Sequence, residues 1–146
     1  MTIAISFFVV DPDRGPIDEA NFQDGDLAAL LDPESPAGIE IEATTGDVII
    51  RDTLDGVIAG VCLGGGAALT TGDSFSFVSF SGYDPAVISL EGDTAVFECD
   101  GDEVRAPAAD SLTALRGLAG RYAALLEKAF PQDVERRAQL AEFAAG

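Results

Sequence analysis

The C-terminal part of the chain carries the strongest structural signal in the sequence. Over residues 112–129, apolar side chains recur every three or four positions, which places them on one face of an α-helix. Asp110 or Ser111 is suited to cap the start of this helix, and Pro131 cannot continue it. A second helix is predicted over residues 132–144. Two amphipathic helices need an apolar surface to cover, and the remaining sequence must supply it.

The rest of the chain mostly alternates apolar and polar residues, as β-strands do. A first strand is predicted over 2–10, followed by a hairpin of 39–43 and 47–51 that turns at Thr-Thr-Gly. A meander joined by Gly-Asp and Asp-Gly turns comes next. Its predicted strands are 74–81, 86–91, 94–99 and 103–107. In 74–81 the apolar register slips, which favours a bulge or a strand covered on both faces.

Residues 52–66 (DTLDGVIAGVCLGGG) fit a helix better than a strand. The apolar residues with helical spacing are Leu54, Val57, Ile58, Val61 and Cys62. A helix is therefore predicted over 54–63, ended by the glycines at 64–66, and a shorter one over 26–31. These patterns together predict an α+β fold. It would be an antiparallel β-meander with a central helix and with the C-terminal helices packed on one face.

Charge is distributed unevenly along the chain. The formal net charge is −18, from 26 acidic and 8 basic residues without any histidine. Residues 1–110 hold most of the acids and are expected to form an acidic, mostly-β body, while residues 111–146 form a near-neutral helical segment of the same single domain. Because 47% of the residues are hydrophobic, the chain is expected to bury a core.

The acidity limits the kinds of partner. A strongly negative protein repels nucleic acid and anionic membranes, and it associates faster with basic proteins. A halophilic or high-GC background would produce the same composition without any role in recognition. Both explanations are compatible with the sequence.

Two acidic clusters are candidate contact surfaces for a basic partner. The candidates are Asp11, Asp13, Asp18, Glu19, Asp24 and Asp26 in the first cluster, and Asp100, Asp102 and Glu103 in the second. The first cluster, DPDRGPIDEANFQDGD, has some features of a calcium loop. Gly15 nevertheless comes one residue too early, and Asn21 occupies the position of the bidentate glutamate. No metal site is therefore predicted.

Several kinds of active site lack their residues in this sequence. Without histidine, Ser-His-Asp and Cys-His nucleophile systems and most zinc and iron sites are excluded. Cys62 and Cys99 form no Cys-x-x-Cys pair and are expected to be free thiols in a reducing cytoplasm. No phosphate-binding or dinucleotide-binding glycine motif is present. We expect a non-enzymatic protein without cofactor, nucleic-acid ligand or membrane-spanning segment.

A stripe of small residues lies on the opposite side of the long helix. It consists of Thr113, Gly117, Gly120 and Ala124. Each glycine inside a helix costs about 1 kcal/mol relative to alanine, which favours an offsetting contact. The stripe is predicted to seat a helix, either 132–144 folding back or a partner chain. A homodimer formed through the C-terminal helices is therefore an alternative function, and small-ligand binding is another.

The order of the elements resembles that of small immunity proteins encoded beside bacterial polymorphic toxins. The resemblance rests on the meander ISLEGDTAVFECDGDEVRAP and on the long helix DSLTALRGLAGRYAALLEKAFP after it. It implies a cytoplasmic protein that binds and neutralises a toxin domain, and the basic active sites of many toxins would account for the acidity. The leading hypothesis is therefore an acidic protein that masks a basic protein surface.

Overall fold

The computed structural model describes residues 3–146, which form an α+β fold with two antiparallel sheets. The first sheet contains β1 (Ala4–Asp11), β2 (Gly15–Asp18), β3 (Pro36–Ala43) and β4 (Gly46–Thr53). The second contains β5 (Phe75–Phe77), β6 (Ala86–Glu91), β7 (Thr94–Cys99) and β8 (Asp102–Pro107). Their strand orders are β2-β1-β3-β4 and β5-β6-β7-β8, so the second sheet is the predicted meander.

The helices are α1 (Leu27–Leu30), α2 (Leu54–Ala59), α3 (Gly66–Thr71), α4 (Ala108–Ala129) and α5 (Val134–Ala145). A π-helical turn over Gly60–Gly65 connects α2 to α3, so that the three form one central helix. This central helix and α4 pack against the sheets, and α5 packs on α4 and on the central helix. The predicted α+β architecture, with a central helix and a C-terminal helix pair, is confirmed.

The two sheets adjoin where β4 lies beside β8. Thr45, in the turn between β3 and β4, joins them with its side chain. Its hydroxyl donates to the carbonyl oxygen of Arg105 at 3.2 Å and accepts from the amide of Arg105 at 3.0 Å. The hydroxyl therefore bonds the β8 backbone where a neighbouring strand would otherwise do so.

A continuous apolar core lies between the sheets and the helices. β1 contributes Ile5, Phe7 and Val9, which alternate with outward-facing residues as the sequence pattern predicts. Tyr122 of α4 is fully buried, and its ring meets Phe7 edge-on, with the centroids 5.4 Å apart. The long helix is thus fixed against the middle of the first sheet.

Glycines in the central helix make room for large side chains. A Cβ at any of these four glycines would lie within 3 Å of a neighbouring side chain, and the pairs are Gly60 with Phe77, Gly64 with Phe75, Gly65 with Ile88, and Gly66 with Phe143. The prediction that glycines 64–66 end the helix is wrong, because the helical backbone continues through them. It ends at Gly72, which has the left-handed conformation common at helix C-termini (φ +87°).

The central helix is also apolar over most of its length. Leu54–Thr71 is long enough and apolar enough to cross a membrane, with a mean hydropathy of 1.4. Half of that segment is buried inside the structure. Core helices of folded proteins meet the same criterion, and the aromatic rings seated on its glycines give it the packing of a core helix.

A polar network joins three helices. The Tyr122 hydroxyl of α4 donates to Asp55 Oδ1 of α2 at 2.5 Å. Arg136 of α5 donates from Nε to both Asp55 oxygens, at 2.9 and 3.0 Å, and from Nη2 to the Tyr122 oxygen at 3.0 Å. Burial, reinforced by the hydrogen bond to Asp55, raises the pKa of Tyr122, so the phenol stays protonated and remains a donor.

Three local predictions differ from the structure. No strand is predicted over residues 15–18, but they form β2, an edge strand that holds Pro16. The long helix begins at Ala108 rather than at an Asp110 or Ser111 cap, because buried Ser111 donates to the Pro107 carbonyl oxygen instead. The predicted strand 74–81 ends at Phe77 and continues as a loop. Thr2, at the start of the predicted first strand, lies outside the described residues.

Candidate protein-binding surface

The first acidic cluster is largely compensated by basic residues of the same chain. Asp11 accepts hydrogen bonds from the amides of Asp13 and Arg14 and pairs with the Arg14 side chain. These bonds, those to the backbone amides above all, hold the pKa of Asp11 below its usual value. Arg14 also reaches Asp26, and Asp24 pairs with Lys128 at 2.7 Å.

Glu19 of the same cluster has a structural position. One carboxylate oxygen accepts from Arg121 Nε at 2.7 Å, and the other accepts from the amide of Phe7 at 3.0 Å. Arg121 also donates to the carbonyl oxygen of Ile5. These side chains bond the β1 backbone beyond the point where β2 stops pairing with it. Of the six candidates in the cluster, Asp13 and Asp18 are left without an ion pair among the residues that the structure describes.

The second acidic cluster contributes to a cleft where the two sheets meet. The cleft has a volume of about 240 Å³ and is lined by Asp47, Ile49, Arg51, Tyr83, Asp84, Cys99, Asp100 and Asp102; we call it the acidic cleft. Asp100 lies in the β7–β8 turn and Asp102 begins β8, and both face the outer side chains of β4. Glu103, the third candidate of this cluster, does not line the cleft and is paired with Arg105 at 2.8 Å.

The acidic cleft differs from the first cluster because its charges are not paired. Within residues 3–146, none of its four carboxylates has a cation within ion-pair distance. Arg51 lies in the cleft but packs over the ring of Phe8, with its guanidinium carbon 5.9 Å from the ring centroid. The cleft therefore keeps an excess of negative charge.

Both cysteine thiols have a pKa above the ordinary value. Burial, followed by the charges of Asp84, Asp100 and Asp102, raises the pKa of the Cys99 thiol, which keeps it from being a reactive thiolate. Burial raises the pKa of Cys62 to about 12, with the same consequence. Across the described chain, no three acidic or cysteine side chains are close enough together to hold a metal ion.

A loop beside the cleft projects apolar side chains into solvent. It comprises residues 78–85, between β5 and β6, and is called the 78–85 loop below. Val78 is 61% exposed, Phe80 97% and Tyr83 44%. The register slip that the sequence shows here was expected to mark a bulge or a doubly covered strand. The chain instead leaves the sheet, and the apolar residues after Phe77 are not buried.

The 78–85 loop is held in place by Ser79. The Ser79 hydroxyl donates to Oδ1 of the buried Asp52 at 3.2 Å. The Ser79 hydroxyl oxygen also accepts from the amides of Ser81 at 3.1 Å and Tyr83 at 3.3 Å. A hydroxyl has one donor and two acceptor sites, so all of its capacity is used to shape the loop around Phe80.

The small-residue stripe on α4 is partly covered by α5. A Cβ at Gly120 would lie 3.4 Å from the Cβ of Ala144, so the helix that folds back here is α5 of the same chain. Thr113, Gly117 and Ala124 remain exposed. The fold-back alternative thus applies to Gly120 and leaves the rest of the stripe open.

Glu40 on the outer face of the first sheet gives stability a pH dependence. Partial burial, followed by the nearby charges of Glu42, Asp47 and Asp18, raises its pKa above the ordinary 4.5. The folded state thus binds this proton more tightly than the unfolded state, and stability is lost as the pH rises above 4.5 through the raised value. We expect Glu40→Gln to raise the melting temperature at pH 7 and to leave it unchanged below about pH 4. Thermal unfolding across this range tests it; an equal effect at both pH values would contradict the assignment.

Sequence reasoning missed half of the acidic cleft. Asp47 begins a predicted strand and Asp84 lies in a predicted turn, and neither stands in a dense acidic run. Phe80 was assigned to a strand. The available signal was the Gly-Tyr-Asp-Pro turn after a slipped apolar register, which indicates that the chain leaves the sheet there.

No protein-family model, curated protein sequence or solved structure matches this chain.

Proposed function

We propose that this chain is a non-enzymatic acidic binding protein that masks a basic surface of another protein. The observation that supports the proposal is the contrast between its two acidic clusters. Four of the six carboxylates in the first cluster are ion-paired within the chain, while none of the four carboxylates of the acidic cleft is ion-paired among the described residues. We therefore assign the contact surface to Asp47, Asp84, Asp100 and Asp102 rather than to the residues around Asp11.

A protein partner suits this site better than a small ligand. Pockets for drug-sized ligands enclose roughly 300–1,000 Å³ and are mostly apolar. The acidic cleft, at about 240 Å³, is smaller and is lined by charged side chains. Lysine or arginine side chains of a protein would enter such a cleft, and the surrounding surface would contribute the remaining contact area.

The biological setting we propose is that of a cytoplasmic immunity protein, with a toxin domain as the basic partner. This step rests on the resemblance of the meander and long helix to such proteins. If the protein encoded by the adjacent gene is a toxin, co-expression of this chain should restore the growth of cells that produce the toxin domain. Failure to restore growth, with both proteins soluble, would reject this setting.

The proposal is tested by neutralising the acidic cleft. A triple variant, Asp84→Asn with Asp100→Asn and Asp102→Asn, should bind an octa-arginine peptide about tenfold more weakly than the native chain, because it lacks the local negative potential. The matched control, Glu127→Gln with Glu135→Gln and Glu142→Gln, removes the same charge from α4 and α5 and should change the affinity less. Calorimetric titration at low and moderate salt measures both. Equal weakening by the two triple variants would show attraction by net charge alone and would reject the site.

A further inference from the structure

The 78–85 loop carries the most exposed large apolar side chain in the described part of the chain. Phe80, at 97%, is more exposed than the other large apolar residues found at the surface, Val78, Tyr83 and Val134. Burial of an aromatic ring is among the most favourable contributions to interfaces, and such residues dominate measured binding energies. The Phe80 ring is not buried in the folded chain, so this contribution is available to a binding partner.

We infer that Phe80 is the apolar anchor of the interface, and that the partner presents an apolar pocket with lysine or arginine side chains at its rim. The inference rests on the proposed function and adds the chemistry of the partner's surface to it. Phe80 would fill the pocket while the basic rim enters the acidic cleft. Tyr83 and Asp84 belong to both the 78–85 loop and the cleft lining, so the two contacts are adjacent.

The conformation of the 78–85 loop supports an anchoring role. The three hydrogen bonds of Ser79 tie the loop to the buried Asp52 and close it around Phe80. A loop that is ordered before binding loses less conformational entropy when a partner immobilises it. Phe80 is therefore presented by a structured turn.

Charge complementarity selects the occupant. A second copy of this chain would bring the same unpaired carboxylates against Asp84, Asp100 and Asp102, and like charges at close range oppose association. An anionic membrane would be repelled for the same reason. A basic protein satisfies both the exposed ring and the negative cleft.

The experiment selects random dodecapeptides on phage against the whole chain. We expect the enriched peptides to combine lysine or arginine with aromatic or large aliphatic residues. Calorimetry on these peptides should show dissociation constants at least about tenfold higher for Phe80→Ser than for the native chain. The Asp84→Asn, Asp100→Asn, Asp102→Asn variant should also bind them more weakly.

Val134→Ser is the matched control, since Val134 is also an exposed apolar residue, 58% exposed, but lies on α5. It should bind the selected peptides as the native chain does. Phe80→Ser should keep the native melting temperature, because the ring has almost no contacts to lose. A fall in its melting temperature together with lost binding would overturn the inference.

The remaining outcomes separate the inference from the proposed function. The selected peptides could be basic and bind the triple Asp→Asn variant of the cleft more weakly, yet bind Phe80→Ser as tightly as the native chain. That result would overturn the inference and leave the proposed function standing. Enriched peptides without basic residues, insensitive to the neutralised cleft, overturn both. If light scattering shows a native dimer that Phe80→Ser converts to a monomer, the occupant is a second copy and the inference is overturned. The inference is also overturned if no peptide distinguishes the native chain from Phe80→Ser.

Discussion

Asp55→Asn is expected to lower the free energy of unfolding by about 2–3 kcal/mol. The substitution removes the charge that pairs with Arg136, whose side chain is 8% exposed, and it weakens the hydrogen bond from Tyr122. Breaking a fully buried ion pair from one side costs about 3–5 kcal/mol. The expected loss is smaller because the Asp55 side chain is 35% exposed and partly screened. Urea denaturation measures the change.

Two other variants place the Asp55 result on a scale. Tyr122→Phe keeps the Asp55–Arg136 pair but removes the two hydrogen bonds of the phenol, and it should lose about 1–2 kcal/mol. Asp24→Asn breaks an ion pair of the same kind with Lys128, but Asp24 is 77% exposed, so stability should hardly change. In Asp55→Asn, the amides of α5 should exchange hydrogen fastest, because Arg136 helps hold that helix. Equal stability of Asp55→Asn and Asp24→Asn would contradict a structural role for the network.

Gly60→Ala is expected to destabilise the protein by about 1–2 kcal/mol, although alanine favours helices. A Cβ at this position would lie 2.7 Å from Cε1 and 2.9 Å from Cδ1 of Phe77. Phe77 is 7% exposed and cannot swing outward without opening the core. The clash should therefore outweigh the gain of about 1 kcal/mol that alanine brings to a helix. Thermal unfolding measures the result.

Gly117→Ala is the matched control for Gly60→Ala. Its new methyl group would meet Nη1 of Arg121 at 3.3 Å, the far end of a flexible side chain. This variant should be stabilised, by up to about 1 kcal/mol. Adding Phe77→Leu to Gly60→Ala should recover part of the loss, and the double-mutant cycle gives the coupling energy. Two stabilised alanine variants, or no coupling with Phe77, would show that the ring does not require glycine at position 60.

The helical glycines illustrate a limit of pattern reading. Residues 64–66 carry the composition of a helix end, and a helix stop was predicted there. Phe75, Ile88 and Phe143 occupy the space where Cβ atoms at these positions would lie. They are distant in sequence or come from other elements, so no window around the glycines reveals them. The glycines meet a packing requirement, and the helix ends at Gly72.

The elements that were predicted well have local causes. Helix α4 follows from its apolar period, which matches the helical repeat, and β1, β3 and β4 follow from apolar alternation, although β3 begins at Pro36, three residues before the predicted segment 39–43. The four-residue strand β2 was missed because it is too short to establish a period and includes Pro16. Local pattern was sufficient wherever an element was long enough to repeat it.

The sequence alone established that this protein is acidic, that it has an α+β pattern and that it lacks the residues of common catalytic sites. The tertiary structure decided which carboxylates are available. Glu19 and Asp24 stand in the densest acidic run, yet they pair with Arg121 and Lys128, which are 102 and 104 positions away. Asp47 of β4 and Asp84 of the 78–85 loop meet Asp100 and Asp102 in one cleft. Charge is a property of each residue, but its compensation depends on neighbours that only the folded chain brings together.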